Sequence, residues 1–199
     1  FEVNPKPRLT LPEKKVLTDE KKWEIRFFWP ADKIIELKGL SDSHLDLSRY
    51  TIKHREDRYC LLRDHDFNIK IRRGKLLYKP ILEKTRNAIA YGKKIDLLDA
   101  DENTNLPGHN EYHIGSLLNL INTRKEEVVV SKEALIYKFN TAPKTKLELA
   151  RLEIMGLVYF SACIESYALA LTESLSKHLL NNQFSCDYIT FLKNLIFDD

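Results

Sequence analysis

Lysine and arginine recur at every second position in several segments of this 199-residue sequence, most clearly in Ile69-Lys70-Ile71-Arg72. Because side chains alternate between the two faces of a β-strand, charged residues two apart share one face. Arginine can bind phosphate through two parallel hydrogen bonds, and lysine binds it as a point charge. The pattern therefore predicts a cationic sheet face suited to a phosphate-like anion. Its members are Lys22, Glu24 and Arg26; Lys53, Arg55 and Asp57; Lys70 and Arg72; Lys79; and Lys132.

The same alternation is also typical of an antiparallel sheet with one solvated face. A sheet that curls over the charged face would instead enclose it, and the lower dielectric inside would strengthen each contact with an anion. The residues alone leave both interpretations open.

The elements that position these residues begin after a proline-containing segment. Residues 1–21 include three prolines among charges and predict an extended tail. Residues 23–29 alternate apolar and charged side chains, and Pro30 follows, which predicts a strand. Residues 32–39, which end in a glycine, predict a short helix.

The middle of the chain predicts further strands. Residues 48–63 are rich in strand formers, and residues 67–82 predict a hairpin that turns at residues 73–75. The polar residues 96–110 predict an exposed loop.

The last third of the chain changes from strands to helices. Residues 112–139 predict a strand-rich block, and residues 147–154 predict a strand although they are also good helix formers. Residues 157–164 predict another strand. From residue 167 onwards the apolar spacing indicates two helices, about 167–180 and 188–197. The fold class expected is α+β.

Composition excludes some classes of function. The net charge of +3 is too small for the strong field of a dedicated nucleic-acid binder, and no apolar stretch has the length of a membrane span. The three cysteines, Cys60, Cys163 and Cys186, show no CxxC spacing, which indicates a reducing, cytoplasmic location. One disulfide with a free thiol remains the alternative.

Other candidate sites rest on weaker patterns. His109 and His113 are four residues apart but fall in the predicted loop, where they would not share a helix face for a metal. The run Asp64-His65-Asp66 suits either a cation or a turn. Ser161 and Cys163 have no evident base or orienting acid for nucleophilic catalysis.

Three short motifs occur in order along the chain: Lys22-Trp23-Glu24-Ile25-Arg26, Ile69-Lys70-Ile71-Arg72 with Tyr78-Lys79, and Val130-Ser131-Lys132-Glu133-Ala134. Together they resemble the CYTH superfamily of triphosphate tunnel proteins over about residues 22–192. Lys22-Trp23-Glu24-Ile25-Arg26 resembles the family's opening ExExK pattern, with Lys22 in place of the first acid. Ile69-Lys70-Ile71-Arg72 followed by Tyr78-Lys79 resembles its central cationic hairpin. Val130-Ser131-Lys132-Glu133-Ala134 resembles its later KxR strand, with Ala134 in place of the arginine.

The resemblance implies one domain over residues 22–199, built as a mostly antiparallel curled sheet or tunnel-like β-barrel with flanking helices and two C-terminal helices at about 167–199. It implies that Glu24 is catalytic and that carboxylates hold Mg or Mn. The phosphate-binding residues would be Arg26, Lys53, Arg55, Lys70, Arg72, Lys79 and Lys132, and the metal ligands Glu24, Glu148, Glu153 and Glu165.

Two functions follow from this resemblance. Lys22 removes a metal ligand and adds a repelling charge, and with Ala134 it favours binding of a phosphate-containing polyanion without catalysis. The alternative is a divalent-metal-dependent hydrolase of inorganic, nucleoside or RNA 5′-triphosphates. The expected partner is a phosphorylated small molecule or a nucleic-acid end, with a protein partner as a further option and no membrane.

Overall fold

The computed structural model describes residues 21–181 and 183–197. The extended tail expected for residues 1–21 therefore lies outside the described residues except at Lys21. The strands are β1 (Lys22–Pro30), β2 (Thr51–Leu61), β3 (Asn68–Arg72), β4 (Lys75–Lys79), β5 (Ile81–Lys84), β6 (Ile89–Tyr91), β7 (Ile95–Asp96), β8 (Asn105–Leu106), β9 (His109–His113), β10 (Glu126–Phe139), β11 (Thr145–Ile154) and β12 (Leu157–Ser166). The helices are α1 (Asp42–Leu45), α2 (Ile114–Arg124), α3 (Leu169–Leu180) and α4 (Tyr188–Phe197), with a 3-10 turn at Leu47–Arg49.

Ten of the strands form one antiparallel sheet that curls on itself. Its order is β5-β6-β1-β12-β11-β10-β2-β3-β4-β7, so β4 and β5 stand near opposite ends of the sheet. In the chain, however, they are separated by Pro80 alone, which has no N–H group to continue a ladder. The two ends of the sheet must therefore lie close together, and the expected fold class, α+β with a mostly antiparallel curled sheet, is confirmed.

Helices cover both faces of this sheet. On the outer face, Leu179 and Leu180 of α3 pack against a cluster that includes Trp23 and Phe27 of β1. On the inner face, Tyr188, Ile189 and Leu192 of α4 pack against residues from β2, β10 and β11. The C-terminal helices therefore close two sides of the sheet, as the fold class required.

The prediction of a helix at residues 32–39 is wrong. This segment is irregular, and the backbone N–H of Lys38 donates to the carbonyl of Leu179 at 2.8 Å instead of to a preceding turn. Ile35 and Leu37 pack against the outer cluster, while Ile34 is 91% exposed. Because Ile35 and Leu37 are two residues apart and both pack against the same cluster, this segment has the side-chain alternation of an extended chain and not the spacing of a helix.

Two further expectations need correction. The strand-rich block at residues 112–139 contains α2, whose buried side chains Ile114, Leu117 and Ile121 follow helical spacing. The exposed loop at residues 96–110 contains β8 and buries Leu97 and Leu106. The strand predicted at residues 147–154 is confirmed as part of β11.

Two further observations concern the cysteines and the helices. The three cysteines form no disulfide within the part of the chain that the structure describes. Among the same residues, none of the helices combines the length and apolar character needed to cross a membrane.

Candidate functional site

The inner face of the curled sheet encloses a cavity of about 320 Å³. Nine lysine and arginine residues line it against four acids, and this excess is larger than the net charge of the whole chain, +3. Positive charge is therefore concentrated here. The cations are Arg26, Arg55, Lys70, Arg72, Lys79, Lys84, Arg86, Lys94 and Lys132, and the acids are Glu24, Glu148, Glu165 and Asp187.

Strand alternation accounts for most of this lining. Glu24 and Arg26 are two apart on β1, and Lys70 and Arg72 are two apart on β3, so each pair shares the inner face. The ladders then set the pairs side by side: Lys132 of β10 is opposite Arg55 of β2. Six of the seven cations expected at the site therefore come together.

Glu148 is the central carboxylate of the cavity. Its Oε1 accepts hydrogen bonds from Arg26 Nη1 at 3.1 Å and from Lys132 Nζ at 2.9 Å. Burial acts to raise the pKa of Glu148, but the charges of Arg26 and Lys132 outweigh it and hold the pKa well below its usual value. The carboxylate is therefore ionised and neutralises two buried cations.

Asp57 of β2 is the centre of a second buried cluster, which includes two of the cavity cations. It accepts hydrogen bonds from Lys70 Nζ at 3.1 Å and from the Arg72 guanidinium. Burial opposes ionisation of Asp57, yet these two partners lower its pKa to about 2. Burial also lowers the pKa of Lys70 to about 7, helped by repulsion from Arg72 and Lys94 and opposed by Asp57.

The two remaining predicted acids of the cavity are also paired. Glu24 bonds to Lys79 and lies 3.9 Å from Arg26, and these cations lower its pKa to about 2 against the effect of burial. Glu165 is bridged at 3.3 Å by both Lys22 and Lys146. Lys22, which stands where an acid was expected, thus neutralises another acid.

Two predicted site residues do not reach the cavity. Glu153 is five residues after Glu148 on β11, an odd separation that puts it on the opposite face, where it pairs with Arg151 at 3.6 Å. Lys53 has the same parity as Arg55 but is exposed near the start of β2, outside the lining. Neither residue therefore lies with the other predicted site residues around the cavity.

Several cations at the site escaped the sequence analysis. Lys84 is the last residue of the four-residue strand β5, Arg86 lies in the turn between β5 and β6, and Lys94 lies in the connection between β6 and β7. None of them belongs to a run of alternating charges in the sequence. Within the described ranges, Arg55 and these three residues form no ion pair with an acid. The name open cations is used below for Arg55, Lys84, Arg86 and Lys94.

Lys94 shows the effect of this uncompensated charge. Much of its side chain is exposed at the mouth of the cavity. Partial loss of water around its ammonium group, together with repulsion from Lys79 and Arg72, nevertheless lowers its pKa to about 8. An anion bound between Lys94, Lys79 and Arg72 would favour the charged form of Lys94.

Tyr188, the first residue of α4, forms the floor of the cavity. Its ring lies 4.7 Å from the Arg26 guanidinium carbon and stacks on Tyr59 with 5.3 Å between ring centres. The backbone N–H of Cys186 donates to the carbonyl of Arg26 at 2.8 Å and ties the start of α4 to β1. These contacts hold the Arg26 side chain against an apolar surface.

The side chains present do not fit the Mg or Mn site that the resemblance implies. Glu24, Glu148 and Glu165 are each bonded to lysine or arginine, whereas a divalent ion needs carboxylate oxygens that converge on it. In the described residues no group of three or more His, Cys, Asp or Glu side chains is placed to hold a metal. His109 instead contacts Glu111, and Asp66 pairs with Lys193.

Comparison with known proteins gives little further information. No protein-family model matches the chain, and no curated protein matches it. Among solved structures, a candidate adenylate cyclase from Bacillus halodurans aligns with 89% of this chain and 99% of its own, at 10% sequence identity and a TM-score of 0.46.

Proposed function

We propose that this chain binds a phosphate-containing polyanion inside the curled sheet and does not turn it over. The observation that carries the proposal is the excess of cations around one enclosed volume, with four open cations that have no acidic partner among the described residues. Lys84, Arg86 and Lys94 are exposed and Arg55 is half-buried, so all four are accessible to a ligand. Holding like charges around one volume is electrostatically unfavourable unless a counter-charge is present. A bound polyanion would supply that counter-charge.

The types of cation favour phosphate over a carboxylate ligand. Arg55 offers a planar fork of donors, and Lys70 and Lys94 offer point charges, the combination that binds the several oxygens of a phosphate chain. A volume of about 320 Å³ is at the small end of ligand sites. A short polyphosphate, or the phosphates of a small molecule or of a nucleic-acid end, is the ligand proposed.

The state of the acids favours binding over catalysis. Metal-assisted phosphoryl transfer requires oxygen ligands that hold the ion against the phosphates. The acids present are instead committed to cations, with Glu24 on Lys79 and Glu148 on Arg26 and Lys132. Their role in this proposal is to preorganise the cations.

Calorimetric titration with inorganic tripolyphosphate at low ionic strength tests the proposal. We expect saturable binding that weakens with added salt, because charge attraction is screened. Since the anion favours charged ammonium groups, affinity should fall as the pH is raised through the pKa values of Lys70 and Lys94, about 7 and about 8. Absence of binding under these conditions would contradict the proposal.

A phosphate-release assay with Mg or Mn distinguishes the two functions. We expect no release from tripolyphosphate or nucleoside triphosphates. Release that disappears in Glu24→Gln would instead identify a hydrolase and overturn the non-catalytic part of the proposal.

A further inference from the structure

Asn68, the first residue of β3, lies in the wall of the cavity and carries a side-chain acceptor without a hydrogen-bond partner among the described residues. The residue is 6% exposed and lines the cavity wall. Its Oδ1 atom is buried and accepts no hydrogen bond from the described residues. Because a buried polar atom without a partner destabilises the fold, such an atom in a native structure requires an explanation.

Tyr91 is a neighbour of the Asn68 amide in the cavity wall. Burial raises the pKa of Tyr91 well above its usual value, and a side-chain hydrogen bond with Asn68 opposes this shift. A hydrogen bond lowers the pKa of a phenol when it is donated to the phenol oxygen, since it then favours the charged form. This direction is the one expected when the amide N–H faces the phenol oxygen, an arrangement that leaves Oδ1 for another partner.

Asn68 also lies between two of the cations. It is two residues before Lys70 on the same face of β3, and its Cα is paired with that of Lys79 across the ladder. An anion held by the ammonium groups of Lys70 and Lys79 would thus be next to the Asn68 amide.

The other acceptors nearby are already engaged. Glu24 bonds to Lys79, Asp57 bonds to Lys70 and Arg72, and both carboxylates are ionised. Asn68 is a neutral acceptor that has not been committed to a cation. It is suited to a donor that arrives with the ligand.

We infer that Asn68 Oδ1 accepts a hydrogen bond from a protonated oxygen of the bound anion, so that the cavity selects hydrogen phosphate or a protonated terminal phosphate. This inference rests on the proposed function and adds a specificity-determining residue to it. A fully deprotonated oxyanion such as sulfate has no donor, and its oxygen would face the lone pairs of Oδ1.

Hydrogen phosphate and sulfate provide a matched pair of probes. At about pH 8 both are tetrahedral dianions of similar size, and they differ by one O–H group. We expect the wild-type chain to bind phosphate roughly 10-fold more tightly than sulfate by calorimetry, the effect of one satisfied hydrogen bond. In Asn68→Leu, which has a similar volume and no acceptor, the ratio should fall to about 1 because phosphate affinity is lost.

Asn68→Ala is the second variant, and the thermal midpoint of each variant without anion shows that it is folded. A wild-type chain that binds both anions equally, or a preference that survives in both variants, would overturn the inference and leave the proposed function standing. An equal loss of affinity for phosphate and for sulfate in the variants would also overturn the inference. It would mean that the Asn68 amide donates its N–H group to either anion. Failure of the wild type to bind either anion while it still binds tripolyphosphate would overturn the inference alone, and failure to bind tripolyphosphate as well would overturn both proposals.

Discussion

Replacement of Glu148 by glutamine is expected to lower the free energy of unfolding by about 3 kcal/mol at neutral pH, the cost of removing one member of a buried ion pair. The carboxylate neutralises both Arg26 and Lys132, whose side chains are 11% and 10% exposed. Glutamine keeps the shape but removes the counter-charge of Lys132 and leaves Arg26 with the more distant carboxylate of Glu24, at 3.9 Å. Urea unfolding of the two proteins measures the difference.

The dependence on pH adds a check on the cause. The pKa of Glu148 is lower in the folded chain than its unfolded reference of 4.5, so its stabilisation is fully present above that value. It is lost as the pH falls from there towards the folded-state pKa. The difference between wild type and Glu148→Gln should therefore shrink below about pH 4.5.

Glu153→Gln is the matched control on the same strand. Its side chain is 54% exposed on the opposite face and pairs with Arg151 at the surface, an arrangement that contributes little to stability. The effect expected is within about 0.5 kcal/mol. Equal losses in the two variants would show that Glu148 has no special role in the cavity. Tripolyphosphate should restore more stability to Glu148→Gln than to the wild type, because the anion replaces the missing charge.

The second large effect is expected on the affinity for tripolyphosphate and not on the stability of the fold. The double substitution Arg55→Glu with Lys94→Glu should weaken tripolyphosphate binding by at least about 100-fold, since each charge-assisted contact accounts for roughly tenfold or more. Both residues are open cations with no acidic partner in the described ranges, so the anion-free stability should be unchanged or higher. This opposite change in binding and stability is the signature expected of a functional cation.

Lys93→Glu is the control for that experiment. Lys93 is exposed, is adjacent to Lys94 and does not line the cavity. We expect a change of less than about threefold from this variant, because an exposed charge outside the site is screened by solvent and salt. A loss in Lys93→Glu that matches one charge reversal in the double variant would indicate diffuse surface attraction and contradict a defined site.

Much of the cavity could be predicted because strand alternation is a local property. Lys70 and Arg72 had to share a face, and so did Glu24 and Arg26, whatever the rest of the fold. The face of Glu153 relative to Glu148 also follows from their odd separation in one strand. The sequence analysis placed both at the metal site on the strength of the family resemblance alone.

The remaining features depend on tertiary packing. Lys94 is in a connection between short strands and reaches the cavity because the sheet curls, a property that no local spacing records. The pairing of Asp57 with Lys70 and Arg72 depends on the register of β2 and β3. By contrast, α2 had a visible signal in the helical spacing of its apolar residues, and the strand propensity of the flanking segment obscured it.

The most direct test of the central claim is the position of a bound oxyanion. Arsenate is tetrahedral like phosphate, keeps an O–H group near neutral pH and scatters X-rays anomalously, so crystals soaked in it would show the position of the anion. We predict an arsenate inside the curled sheet, within hydrogen-bonding distance of Lys70 or Lys94 and of at least one cavity arginine. Ordered arsenate bound to the outer surface alone, with none among the cavity cations, would contradict the account.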